Sequence, residues 1–177
     1  MSLIDKFRVT CDGLVIEPAA PADFERVGNL TVDAYLAAGH FDDPQHEYMQ
    51  FVRRVADRAA KAEVYVARRE GAVIASMTLV PFGSEYADIA RAGELEIRML
   101  SVDPAVQRSG AGKAMVLAAI ERARQLPGVQ TVSLTTGGNW TAARALYESL
   151  GFAHCAQRDW YVPNTEILLV VYTMDLG

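Results

Sequence analysis

Two cysteines, three histidines and no excess of basic residues in 177 positions remove several kinds of protein before any motif is read. Cys11 and Cys155 are isolated, with no CxxC spacing and no histidine in metal-ligand register, which argues against a disulfide framework or a zinc site and for two reduced thiols. His40, His46 and His154 have no nucleophile or metal partner at an informative spacing, so no metal is expected. Lysine and arginine number 17 against 22 acids, and the net charge of −5 argues against a nucleic-acid binder, which needs a basic stripe to neutralise phosphates. The best apolar run, Ile167 to Val171, is far too short to span a bilayer, and Met1 to Arg8 carries charges where a signal peptide needs its apolar core. No membrane partner and a cytoplasmic location are therefore expected. Linkers are lacking too: no Pro/Gly/Ser-rich stretch or charge run divides the chain, so residues 1–177 read as one domain, with 51% hydrophobic residues to build its core.

What is present is an alternation of strand and helix patterns. Leu14 to Glu17 reads as a short strand, Pro21 to Ala38 as a helix with apolar Phe24, Val27, Leu30, Ala34 and Tyr35, and Pro44 to Lys61 as a second helix. Val64 to Arg69 and Val73 to Val80 flank Gly71 as an antiparallel hairpin. Leu95 to Val102 is a strand, Gly110 to about Leu126 a helix, and Thr131 to Thr135 another strand. Gly137-Gly138 then leads into a helix ending at Leu150 with Gly151 as its C-cap, and Phe152 to Val162 and Ile167 to Asp175 supply the last strands. The expected fold is a mixed α/β (α+β) domain with a mostly antiparallel sheet of about seven strands and about four helices.

Two local irregularities point to a ligand. Along the strand before the glycine turn, Leu95, Ile97 and Met99 share one parity, but Leu100 and Val102 continue the apolar series on the other. A slip of one residue fits a β-bulge near Met99-Leu100, which frees backbone groups to bond an extended, amide-bearing ligand; a fully buried strand end fits the pattern equally well. Just downstream, Val102-Asp103-Pro104 leads into Gln107-Arg108-Ser109-Gly110-Ala111-Gly112-Lys113, a strand end, glycine-rich turn and helix start. The first amides of such a helix have no carbonyl partners and carry partial positive charge, so the junction is suited to a phosphate.

Gln107-Arg108-Ser109-Gly110-Ala111-Gly112 resembles the Q/R-x-x-G-x-G/A signature of the GNAT acetyltransferase superfamily, and Ala143-Arg144-Ala145-Leu146-Tyr147-Glu148-Ser149-Leu150-Gly151-Phe152 resembles its A-x-x-L-Y-x-x-x-G-F motif. The resemblance is specific from about Leu95 to Phe152 and topological before that. It implies a splayed sheet that binds acetyl-CoA as cosubstrate. Pantetheine would lie along Met99, Leu100 and Val102, and pyrophosphate on the amides of Gln107 to Gly112; Arg108 and Lys113 either supply charge there or are solvated surface residues. One departure is visible: the family commonly has Asn seven residues before the motif tyrosine, where this chain has Trp140, and Asn139 falls one residue early. Asn139 is kept as a helix-start residue and cofactor contact.

The resemblance also implies the chemistry, transfer of acetyl from a thioester to an amine. An amine with a pKa of about 10 is only about one part in a thousand neutral at pH 7, so supplying the free base is worth up to ~4 kcal/mol. Glu96 is the candidate base, with a cation-binding or ion-pairing role beside Arg98 or Arg91 as the alternative and Glu94 as a more distant substitute. Tyr147 is the candidate acid for the leaving thiolate, unless it is a core aromatic. Backbone N–H groups near Met99-Leu100 would polarise the thioester oxygen, and no acyl-enzyme on either cysteine is expected. The acceptor side would include residues 35–61 and 84–93, with Asp42, Asp43, His46, Glu47, Glu85 and Asp88 read chiefly as solvated surface. The expected function is N-acetylation of a small-molecule amine, with a protein or peptide acceptor and a non-catalytic CoA-binding sensor as alternatives. Homodimers are common in the family and are extended to this chain as an expectation.

Overall fold

The computed structural model describes residues 7–177; Met1–Lys6, part of the charged N-terminal stretch, lie outside the described residues. The chain opens with two strands, β1 (Val9–Cys11) and β2 (Leu14–Pro18), then α1 (Phe24–Ala37), α2 (Glu47–Val52) and α3 (Val55–Lys61). The hairpin β3 (Glu63–Arg69) and β4 (Ala72–Pro81) follows, then β5 (Glu94–Val102), α4 (Ala111–Gln125), β6 (Thr131–Gly137) and α5 (Thr141–Ser149). Two short strands, β7 (Ala153–His154) and β8 (Trp160–Tyr161), precede β9 (Leu168–Asp175). The strands form one sheet in the order β1-β2-β3-β4-β5-β6-β9-β7, with β8 also on β9. Among the described residues every pairing is antiparallel except β5 with β6.

Period-two alternation assigns the two faces. Val64 and Val66 of β3 join Val27, Leu30 and Val55 under α1 and α3, whereas Tyr65 and Ala67 join the larger cluster under α4. Small residues on α4, Ala111, Ala114, Ala118, Ala119 and Ala123, let that helix lie close to the sheet. Arg122 of α4 forks onto Glu63 of β3 at 3.0 and 2.8 Å and fixes the helix lengthwise.

Among the described residues nine strands and five helices replace the expected seven and four. The additional first strand comes from a hairpin at Asp12-Gly13, whose φ angles of 50° and 78° make the same left-handed turn as Glu70-Gly71 at 51° and 83°. The single helix expected over 44–61 is broken at Arg53-Arg54, where Gly28 of α1 packs so close that a methyl on it would lie 3.3 Å from Arg53 Cα. Nor is Phe152–Val162 one strand. Asp159 turns inward to accept the Val171 amide at 2.9 Å and Arg158 leaves the ladder for Glu94, so a 3-10 turn over Ala156–Arg158 separates β7 from β8.

Candidate active site

The site begins where two neighbouring strands part. Pairing between β5 and β6 runs from Glu94 opposite Thr131 only as far as Ile97 opposite Leu134. Beyond that rung β5 continues on β4 alone and β6 on β9 alone, leaving a wedge in the sheet. On the β4 side Ser76 faces Ser101 and Thr78 faces Arg98, so Met99 and Leu100 together oppose Met77: the bulge is present. Met99 has φ of 53°, a left-handed conformation costing about 1–3 kcal/mol in a residue with a side chain. The twist corrects one detail of the expected parity. Met99 does not stay with Leu95 and Ile97 but turns to Val32, Met49 and Val52 on the α1 and α2 side, while Leu100 and Val102 return to the α4 side.

After β5 the chain makes the expected glycine turn. Arg108 and Gly110 have φ of 65° and 82°, and Gly110 is the N-cap of α4. The first intrahelical bond runs from the Ala114 amide to the Gly110 carbonyl at 3.0 Å, so the amides of Ala111, Gly112 and Lys113 precede it and are free for a ligand. Ser109 Oγ is buried without a partner beside them. Two left-handed residues, unused helix amides and an orphan hydroxyl form a donor set that fits a pyrophosphate. Gln107, Arg108 and Lys113 are exposed at its rim. Gly112 is helical, and a methyl on it would lie 3.7 Å from Val102 Cγ2 and 3.9 Å from Leu146 Cδ2, which shows α5 resting against the turn and the end of β5.

That contact places Tyr147, the residue after Leu146, beside the wedge. Its ring packs on Phe152 and Tyr172 at centroid distances of 6.0 and 6.2 Å, so it has the core contacts of an ordinary aromatic. Its hydroxyl has no hydrogen-bond partner among the described residues, and burial pushes its pKa up to about 12. The phenol therefore keeps its proton throughout the neutral range. Asn139 is exposed and caps nothing; Trp140 is the N-cap, which corrects the reading of Asn139 as the helix-start residue.

Opposite this donor side, β5 turns Glu94, Glu96 and Arg98 toward the long β4–β5 connection. Glu96 is fully buried, and its Oε2 accepts the amides of Asp88, Ile89 and Ala90 at 2.9, 3.0 and 3.1 Å. Its Oε1 is buried with no partner, and burial outweighs the amide bonds to hold the carboxyl above its ordinary pKa. The considered pairing with Arg98 or Arg91 is not formed. Arg98 instead reaches the Tyr86 carbonyl at 2.6 Å, the Tyr48 hydroxyl at 3.2 Å and Asp88 at 2.9 Å. Burial raises Glu94 as well, but the Arg158 guanidinium at 2.7 Å and the Arg91 amide more than offset this and leave it below the ordinary range.

A shallow cavity of about 370 Å³ lies against the segment that Glu96 holds, lined by Asp88, Ile89, Arg91, Gln157, Arg158 and Trp160. Of the expected surface acids, Asp88 pairs with Arg98 and Glu85 with Lys61, while Asp43 accepts the Gln45 amide. The histidines have ordinary partners: His46 Nδ1 accepts the Tyr48 amide, His154 meets Asp159 at 2.8 Å, and His40 stacks on Trp140. Both cysteines are free, and no cluster suited to a metal ion occurs among the described residues. Nothing in the sequence marks Arg158, Tyr48 and Tyr86, because their partners are brought in by the fold from as far as 69 positions away.

A sheet opened beside a bulge, with an anion cradle at one end and a tyrosine helix along it, defines an acyl-CoA-binding fold. The sequence profile of the Acetyltransferase (GNAT) family matches residues 24–152, and the chain belongs to that family, whose members use acetyl-CoA. Mycothiol acetyltransferase of Sanguibacter keddieii is 32% identical over 124 residues, 70% of this chain and 38% of that protein. [Ribosomal protein bS18]-alanine N-acetyltransferase of Escherichia coli is 40% identical over 67 residues, 38% of this chain and 45% of that protein. The chain thus spans less than half the length of each of these relatives. Among solved structures, a GNAT family acetyltransferase from Elizabethkingia anophelis with acetyl-CoA bound shares the fold at a TM-score of 0.62 and 19% identity, over 93% of this chain and 99% of that one. No helix among the described residues is long and apolar enough to cross a membrane.

Proposed function

We propose that the chain is an N-acetyltransferase that passes an acetyl group from acetyl-CoA directly to the primary amine of a small molecule. The observation that carries this reading is the wedge between β5 and β6, bordered by the bulge and closed by the free amides of the glycine turn. The amides of Ser109 to Lys113 hold pyrophosphate with the exposed Arg108 and Lys113 at its margin, the edge of β5 from Met99 to Val102 bonds the pantetheine arm, and the exposed Asn139 before α5 is a further cofactor contact. Acetyl-CoA, when bound, supplies an activated acyl group and a good leaving thiolate.

The residues of the chain then handle two protons. Amides at the Met99-Leu100 bulge, which the strand twist has released from the ladder, donate to the carbonyl oxygen as negative charge develops there. Tyr147, still protonated at neutral pH, donates from its hydroxyl to the departing sulfur. Glu96 takes the proton of the incoming amine at Oε1 through a water, since that oxygen alone is not committed to the 88–90 amides. The acceptor approaches from the cavity over Asp88 and Trp160. Neither cysteine takes part.

Release of CoA thiol from acetyl-CoA, followed with a panel of small amines and short peptides for wild type and Tyr147→Phe, tests the reading. Turnover with small amines, lowered about 10- to 100-fold in Tyr147→Phe with unchanged acetyl-CoA affinity, is the expected result. Turnover with peptides alone moves the acceptor to protein N-termini, the acceptor class in the name of the bS18-alanine relative. Tight acetyl-CoA binding without turnover on any acceptor would make the chain a CoA-binding sensor.

A further inference from the structure

The position at which this chain departs from the family motif packs against a glycine that it leaves no room to substitute. Trp140 stands where an asparagine is common, and its indole lies directly against Gly137, the last residue of β6; a side-chain carbon on Gly137 would overlap the ring. On the indole lies the imidazole of His40, from the segment after α1, with ring centroids 3.4 Å apart and planes within 17° of parallel. Burial pushes the His40 pKa down, so the stack is uncharged at neutral pH.

The turn carrying the indole is braced from several sides. The Trp140 amide bonds the Gly137 carbonyl at 3.0 Å, the Gly138 amide bonds the Leu168 carbonyl at 2.9 Å, and Arg144 joins the Gly138 carbonyl at 2.7 Å to the Tyr172 hydroxyl at 2.9 Å. Trp140 is thus a fixed wall and not a loose surface ring.

Its height in the wedge follows from the register. The last rung between β5 and β6 joins Ile97 to Leu134, and Gly137 lies three residues beyond it on β6. Along the parallel neighbour the bulge adds one residue, so the same height beyond Ile97 falls at Leu100 to Ser101, the far end of the bulge. The strand end that the indole covers therefore lies beyond the last shared rung, at about the height of the bulge.

From this juxtaposition we propose that Trp140, backed by His40, is a specificity-determining residue that limits the transferred group to a short acyl chain. The inference rests on the reading of the bulge as the thioester end. An acetyl methyl fits in front of the indole, whereas each added methylene must displace a ring held between Gly137 and His40. Asparagine at the same position would leave that space open.

The test compares acetyl-CoA with hexanoyl-CoA on wild type, Trp140→Ala, Trp140→Leu and His40→Ala, by calorimetric affinity and by thiol release, with folding checked by circular dichroism and Tm. Trp140→Ala is expected to raise the hexanoyl-to-acetyl ratio at least ~10-fold, Trp140→Leu less, and His40→Ala less again but in the same direction. An unchanged ratio in a folded Trp140 variant overturns the proposal, as does altered amine selectivity with a fixed acyl ratio, which would make the stack a wall of the acceptor side. Should no amine be acetylated, the transferase reading fails while the calorimetric ratio still decides the role of Trp140; failure of wild type to bind either thioester overturns both.

Discussion

The two sides of the wedge are built from different materials. On the side proposed for acetyl-CoA most of the assigned groups are main-chain amides, at the Met99-Leu100 bulge and at Ala111, Gly112 and Lys113, joined by the Tyr147 hydroxyl. On the side proposed for the acceptor they are charged side chains, Glu94, Glu96, Arg98 and Arg158, fixed by the β4–β5 connection or by one another. Backbone recognition suits a constant ligand, because the amide pattern survives most substitutions. Side-chain recognition can be rebuilt one residue at a time. A fold that meets one donor and many acceptors is well served by this division.

Glu96 gives the sharpest way to break that comparison. Glu96→Gln keeps an oxygen for the amides of Asp88, Ile89 and Ala90 but cannot take a proton, so kcat is expected to fall about 10²- to 10⁴-fold with acetyl-CoA affinity unchanged. In wild type the acid limb of kcat/KM should fall above the ordinary carboxylate range, in keeping with the raised pKa, and it should vanish in the variant. If Glu96→Gln keeps full rate and the limb, the carboxylate is only a staple for the loop.

Next in size is Glu94→Ala, expected to lower stability by about 3 kcal/mol, because it leaves the Arg158 guanidinium, only 6% exposed, without a counter-charge and bonded to the Ile89 carbonyl alone. Denaturant unfolding followed against pH distinguishes the two glutamates. Glu94 has a depressed folded pKa, so its contribution is present at neutral pH and is lost as pH falls through that value. Glu96 has a raised one, so its contribution is present below the ordinary carboxylate pKa and is lost as pH rises through the folded value. Glu96→Gln should therefore gain stability relative to wild type toward neutral pH, and Glu94→Ala should lose it.

Smaller effects separate the two glycines of the turn. Gly110→Ala forces a φ of 82° on a residue with a side chain and should cost about 1–2 kcal/mol, read as roughly 10-fold weaker acetyl-CoA binding, lower stability, or both. Gly112→Ala meets only ordinary contacts inside a helix and should shift stability and affinity by no more than about 0.5–1 kcal/mol, toward greater stability. Equal damage at both positions would mean that the ligand, not the backbone, requires glycine at 112.

The donor side was largely legible because its devices are local. Phase slip along Leu95 to Val102 and the spacing of Gly110 and Gly112 are patterns within a few residues, and they are the bulge and the N-cap of α4. Missed elements were also local in two cases. Asp12-Gly13 between Val9-Thr10-Cys11 and Leu14-Val15-Ile16 is a strong hairpin signal, and the break at Arg53-Arg54 has no proline or glycine to mark it. The acceptor side was not legible, since nothing near Glu96 indicates that three amides of residues 88–90 will fold onto it. Met99 shows the limit from within a single strand: its parity predicts one face, and a positive φ delivers it to the other.

Gly137 and Trp140 impose an order on how this site can change. A side chain at 137 has nowhere to go while the indole is in place, so any route to a substituted strand end must first pass through loss of Trp140. In the reverse order the indole must shift, whereas Trp140→Ala first removes all three atoms that a methyl on Gly137 would meet most closely. The pair should therefore show strong non-additivity in a double-mutant cycle, and lineages descending from this sequence should lose the tryptophan before they lose the glycine.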